Sequence, residues 1–187
     1  MLSIRLAAFA DIPAILAISN HYALTTAANF AIEPEPLEHW QRDFEATHAR
    51  YPWLVAMDEK GGIIGFSKAS PWKGRCAYAY SAETTVYVAP GLHRRGVGRL
   101  LYSTLIRTLE RQGYRTLLGG ITLPNDASVG LHESLGFRKV AELERVGWKF
   151  GRWHNVGYWE RTLGDPAAPP TPIRSVDEVV ASERIVI

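Results

Sequence analysis

The run Val86-Tyr87-Val88-Ala89-Pro90-Gly91-Leu92-His93-Arg94-Arg95-Gly96-Val97-Gly98-Arg99 decides how this chain folds. Aromatic and β-branched residues from Tyr78 to Val88 predict a strand in the middle of a sheet, ended by Pro90-Gly91. From Gly96 to Gln112 the apolar residues Val97, Leu100, Leu101, Leu105 and Leu109 fall on one helical stripe, and Gly113 supplies the stop. A strand therefore hands over to a helix through a short loop. Glycines at 96 and 98 let backbone N–H groups turn inward, and the helix offers its positive dipole end at the same place. Arg94, Arg95 and Arg99 add charge that suits a pyrophosphate better than one carboxylate. An anion site is one reading; a tight loop with solvated arginines is the other, and spacing alone leaves both open.

Upstream, Ile4 to Phe9 predicts a strand, and Asp11 can cap a helix carrying Ile12, Ile15 and Leu16 that ends near His21. Leu37, Trp40, Gln41 and Phe44 predict a second helix. Trp53–Met57 and Ile63–Ala69 are apolar strands joined through Gly61-Gly62, which predicts an antiparallel hairpin. Downstream, Thr116–Leu123 reads as a strand, Asn125–Leu135 as a short helix closed by Gly136, and Phe137–Trp148 and Trp153–Thr162 as two aromatic-rich strands. The order is mixed α and β. Residues 1–163 read as one domain, and 164–187 as a tail opened by Pro166, Pro169, Pro170 and Pro172. Its end, Val176 to Ile187, is apolar enough to dock on the domain or a neighbouring subunit, with disorder the alternative.

A chain of 187 residues, 47% hydrophobic, can bury one substantial core. Its 21 Lys and Arg against 19 Asp and Glu leave +2, too little for a nucleic-acid or membrane footprint, so small-molecule partners are expected. The single cysteine, Cys76, excludes an internal disulfide; with no leader and no bilayer-length apolar run, a cytoplasmic setting is expected. There is no Gly-x-x-x-x-Gly-Lys-Ser/Thr loop, no dinucleotide fingerprint, no His-Glu-x-x-His or Cys/His cluster, and no Gly-x-Ser-x-Gly elbow. Nucleotide hydrolysis, hydride transfer, metal hydrolysis and serine hydrolysis fall back; no metal is expected. Transfer from an anionic carrier remains.

His93 to Gly98 resembles the Arg/Gln-x-x-Gly-x-Gly/Ala loop of GNAT acetyltransferases, with His93 in place of Gln or Arg. Arg50-Tyr51-Pro52-Trp53-Leu54-Val55-Ala56, Pro71-Trp72-Lys73, Ala82-Glu83-Thr84-Thr85-Val86-Tyr87-Val88, Leu123-Pro124-Asn125-Asp126 and Trp153-His154-Asn155-Val156-Gly157 resemble the phosphinothricin and methionine sulfoximine acetyltransferases within that superfamily. The resemblance implies a mixed, strongly twisted sheet flanked by helices, with central strands that splay to admit acetyl-CoA. It implies cofactor contacts from Val86, Tyr87, Val88, Arg94, Arg95, Gly96, Val97, Gly98 and Arg99, with Asn125 and Ser134 near the thioester end. It also implies a homodimer, and an amino-acid-like acceptor whose family is associated with herbicide resistance. Other amines or peptide N-termini are alternative acceptors, and a non-catalytic CoA sensor is the alternative of another class.

An amine must lose a proton before it attacks a thioester. Strand alternation puts Glu83, Thr85 and Tyr87 on one face and Thr84, Val86 and Val88 on the other. The resemblance makes Glu83 the general base; the bland reading is a glutamate at a strand end. His132, in Leu131-His132-Glu133-Ser134-Leu135-Gly136, resembles the family's helix histidine and could assist, or could be structural. Asn125 could equally cap its helix. Phe30, Lys73, Arg75, Tyr78 and Thr85 are the acceptor-binding candidates, against the reading that loop charges are merely solvated.

Overall fold

The turn from Asp58 to Gly62 separates two apolar strands, and the computed structural model, which describes residues 2–165 and 167–181, pairs them antiparallel as expected. The strands are β1 (Ser3–Leu6), β2 (Trp53–Met57), β3 (Ile63–Pro71), β4 (Ser81–Val88), β5 (Thr116–Leu123), β6 (Arg138–Lys149) and β7 (Arg152–Thr162). They form one seven-stranded sheet in the order β1-β2-β3-β4-β5-β7-β6, so β4 is central as the sequence predicts. Among the described residues only β4 and β5 pair in parallel, with the helix α3 (Val97–Gln112) as the crossover between them. The helices α1 (Ile12–Thr25), α2 (Leu37–Thr47), α4 (Asp126–Ser134) and α5 (Val176–Ala181) complete the fold.

Each face of the sheet carries its own core. On one, Leu101, Leu105 and Leu109 of α3 pack against Leu54, Ala56, Leu117 and Ile121. On the other, Ile12, Ile15, Trp40 and Phe44 of α1 and α2 pack against Trp53, Val55 and Phe66. Neighbours such as Leu54 and Val55 serve opposite layers, as a period of two requires. The side chains of Leu101, Leu105 and Leu109 are wholly buried, each contributing about 1.5–3 kcal/mol of hydrophobic stabilisation.

Several boundaries differ from expectation for local reasons. Phe9 leaves β1 for a 3-10 turn over Phe9–Asp11, and Cys76–Tyr78 forms another before β4. α1 runs on to Thr25. Leu100, placed on the buried stripe of α3 by spacing, is exposed. Asp11 stands at the N-cap of α1 but its carboxylate makes no cap; it accepts from Arg5 Nη1 (2.5 Å), Arg5 Nη2 (2.8 Å) and the Ala8 N–H (2.7 Å). Arg5 accordingly holds the Asp11 carboxyl below the usual carboxylate range. After Leu163 the chain returns across the domain. The Val176 N–H donates to Ala49 O (2.9 Å), and Val176 and Val179 are buried. Pro166 and residues 182–187 lie outside the described residues.

Candidate active site

Pairing between β4 and β5 lasts only from Ser81↔Thr116 to Glu83↔Leu118. Beyond that point β4 stays on β3 as far as Gly65↔Val88, and β5 stays on β7 as far as Leu123↔Asn155. The reason lies at Thr84, whose hydroxyl donates to Leu118 O (3.0 Å) and shares a 2.6 Å contact with the Tyr102 hydroxyl. A side chain thus takes the carbonyl at which the wedge opens. Because the Ala89 N–H donates to Ile64 O on β3 (2.8 Å), alternation turns the backbone groups of Val86 and Val88 toward the wedge.

At the wedge mouth Gly96 caps α3 in the left-handed region, with φ of 80°, where a Cβ would be strained. A Cβ on Gly98 would stand 3.4 Å from Val88 Cγ2, so the loop lies close against the strand end. Arg94 and Arg95 are exposed, while Arg99 Nη1 donates to Ser134 Oγ (2.9 Å), which ties α3 to α4. His93 has a partner of its own. The Tyr22 hydroxyl donates to Val88 O (2.6 Å) and also meets His93 Nε2 at 2.6 Å, so the Nε2–H donates to the phenolic oxygen. A strand edge without a neighbour, a helix N-terminus and two free-standing guanidinium groups in sequence fit a long carrier with a pyrophosphate.

On the α1/α2 face, where the strands diverge, lies a cavity of about 430 Å³. Glu83, Thr85 and Tyr87 of β4 line it, as alternation predicts, together with Phe30. Burial pushes the Glu83 carboxyl above its ordinary value, opposed by the charges of Lys73 and Lys68. Burial raises the Tyr87 hydroxyl to about 12. Lys68 donates to Asp43 Oδ2 (2.7 Å), and its Nζ stands 4.1 Å from the Trp53 ring centroid. Asn29 Nδ2 donates to Ser19 Oγ (3.1 Å), fixing the loop that presents Phe30.

Other expected residues fall elsewhere. His132 is buried on the opposite face of the sheet, packed on Tyr102 (4.9 Å) and Phe137 (5.2 Å). Its Nδ1–H donates to Ser128 O (2.8 Å), which leaves Nε2 as the free lone pair, aimed at Gly119; burial lowers its pKa. His132 does not line the cavity, because α4 packs beneath β5 while Glu83 faces upward. Lys73, Arg75 and Tyr78 are exposed and also outside the lining, although Lys73 is near enough to act on Glu83. Asn125 caps α4 by accepting from the Ser128 N–H (3.1 Å) and borders a separate open depression of about 450 Å³ that lacks Glu83.

The sequence reading missed Lys68, Glu35, Leu143, Val146 and Tyr158, all lining the cavity. Lys68 carried the same signal as Glu83, a charge inside an apolar strand, and it sits directly across from Thr85 in the register. The others reach the site only through tertiary folding.

Residues 15–137 match the acetyltransferase (GNAT) family. The chain is also 44% identical over 176 residues to a phosphinothricin N-acetyltransferase of Streptomyces viridochromogenes, covering 94% of this chain and 95% of that one. This chain belongs to the acetyltransferase (GNAT) family. It is 37% identical to an L-methionine sulfoximine/L-methionine sulfone acetyltransferase of Salmonella typhimurium, over 90% of this chain and 98% of the relative. A GNAT superfamily phosphinothricin acetyltransferase of Sinorhizobium meliloti, solved in complex with AcCoA, superimposes with a TM-score of 0.86 at 31% identity, covering 91% of this chain and 93% of the other. The expected mixed sheet flanked by helices and the expected class, an acetyl-CoA-dependent N-acetyltransferase, are both borne out. No helix among the described residues is long and apolar enough to cross a membrane.

Proposed function

We propose that this GNAT enzyme acetylates the amino group of a small amino acid of the phosphinothricin, methionine sulfoximine or methionine sulfone type, with Glu83 as general base. The observation that carries the proposal is the position of Glu83, a partly buried carboxylate in a cavity at the point where β4 and β5 part. Acetyl-CoA, when bound, supplies the thioester carbon that the amine attacks.

The chain's own groups do the rest. Val86 and the Val88 N–H offer backbone groups along the wedge; the amides from Gly96 to Gly98, with Arg94 and Arg95, meet the phosphates. Glu83 takes the ammonium proton, directly or through one water, so that nitrogen bonds to the acetyl carbon as its carbon–sulfur bond breaks. Burial makes Glu83 a stronger base than a solvated carboxylate, while Lys68 and Lys73 keep its ionised form accessible. The nitrogen's second proton passes to solvent, and solvent returns a proton to the departing sulfur. His132, on the far face, seats α4 against Tyr102 of α3 and Gly119 of β5. Phe30 and Thr85 shape the acceptor side, and Lys73, near enough to act on Glu83, is the cation that meets the acceptor's anionic group.

The same reading includes a homodimer in the cytoplasm. Val146, Trp148, Phe150 and Trp153 are each more than half exposed around the β6–β7 turn, an apolar face that a second copy would cover. Sedimentation should give twice the chain mass, and a monomer at working concentration would sink that part. The acceptor is tested by CoA release with phosphinothricin, methionine sulfoximine, methionine sulfone, a peptide N-terminus and a polyamine. The first three should dominate in kcat/KM. A chain that binds acetyl-CoA yet turns over none of the five would be a sensor.

A further inference from the structure

We propose that Lys149 is a positioning residue for the acceptor: it clamps the segment 23–31 so that Asn29 and Phe30 form one wall of the cavity. The inference rests on the acetyltransferase reading above. Lys149 ends β6 and is only 5% exposed. An ammonium is costly to bury unless its three donors are all engaged. Here they are: Nζ donates to Ala23 O, to Asn29 O (2.6 Å) and to Ala31 O (2.7 Å).

Those three carbonyls come from the last turn of α1 and from the loop that follows it. Ala23 O belongs to the helix end whose carbonyls have no partner further along the chain, where a cation is favoured. The clamp and the cavity wall share residues. Asn29 gives Lys149 its carbonyl and gives Ser19 its side-chain amide, and both Asn29 and Ser19 line the cavity.

The strand around Lys149 grips the neighbouring Phe30 as well. A Cβ on Gly147 would lie 2.3 Å from Phe30 Cε2, so this ring sits where β6 has no side chain. The buried His154 packs on Phe30 with ring centroids 6.1 Å apart, and its Nε2–H donates to Lys149 O (3.0 Å). Clamp, ring seat and histidine thus fix one loop against one hairpin. None of these contacts involves the 89–98 loop at the mouth of the wedge.

The test uses the full chain with Lys149→Met, which keeps the stem and removes the donors, and Gly147→Ala, which displaces the ring. Hydrogen–deuterium exchange of residues 26–32 needs no substrate and should quicken at least tenfold in Lys149→Met. Steady-state rates should show the acceptor KM rising at least tenfold in both variants, with the acetyl-CoA KM within twofold of the parent. Unchanged exchange, an unchanged acceptor KM, or equal rises in both KM values would overturn the proposal. If Lys149→Met does not fold, Gly147→Ala decides on the KM split alone. Should the unmodified chain acetylate no amine, the functional reading fails, and exchange by itself judges the clamp.

Discussion

The two sides of the proposed active site are built in opposite ways. The coenzyme side is nearly continuous in sequence, from Val86 to Arg99, and works mainly through backbone groups at a strand edge and a helix N-terminus. The acceptor side draws Ser19, Phe30, Lys68, Glu83, Leu143 and Tyr158 from six separate segments and works through side chains. Backbone recognition tolerates exchange of the residues that carry it, so the side chain at His93 is left free to bond Tyr22. A side-chain cavity has no such tolerance, and its chemistry changes with each residue.

Glu83→Gln should separate the two sides most sharply. If Glu83 is the base, turnover falls by about 10²- to 10⁴-fold, while calorimetric affinity for acetyl-CoA is unchanged; comparable turnover would remove the assignment. On that assignment ionised Glu83 is the active form, and since burial raises its pKa the acid limb of the rate profile should lie above the ordinary carboxylate range. That limb should vanish in Glu83→Gln.

Gly96→Ala probes the other side. Forcing an L side chain into the left-handed region costs roughly 1–2 kcal/mol, so acetyl-CoA should bind about tenfold more weakly with the acceptor KM unaffected. A rise confined to the acceptor KM would break the comparison. Thr84→Val removes the hydroxyl at the apex shared by both sides and should cost about 1–2 kcal/mol of stability in urea unfolding, leaving the Tyr102 hydroxyl without its partner.

The smallest effect is on melting. A carboxyl whose folded pKa lies above its unfolded value favours the fold when protonated, and that contribution is lost as pH rises through the folded pKa. At neutral pH ionised Glu83 therefore opposes folding, and Glu83→Gln should melt slightly higher, about 2–4 °C for each kcal/mol regained. The gain should disappear below the ordinary carboxylate pKa. A lower melting point at neutral pH would show that Glu83 stabilises the fold.

The same contrast explains what could be read from the sequence. The central strand, the loop and α3 were legible because β-branched residues, paired glycines and a 3.6-residue stripe are local signals. That Glu83, Thr85 and Tyr87 share one face of β4 followed from a period of two. Tyr158 and Leu143 were not legible: their roles depend on β7 and β6 pairing beyond β5, an order that no local pattern encodes. His132 was found as a residue, but only the packing of α4 reveals which face of the sheet it serves. Lys149 gave no signal at all, since its partners lie more than a hundred residues away.

Among the described residues, three rungs of parallel pairing, extended by the Arg115 and Thr116 N–H groups donating to Tyr80 O, make the backbone seam between β1–β4 and β5–β7. The sheet is therefore two leaves on a short spine, and a molecule lodged between the leaves serves them as mortar. Saturating coenzyme at about 100 times Kd should add roughly 2.7 kcal/mol to the folded state by mass action, and a ligand in the wedge would apply that to keeping the leaves together.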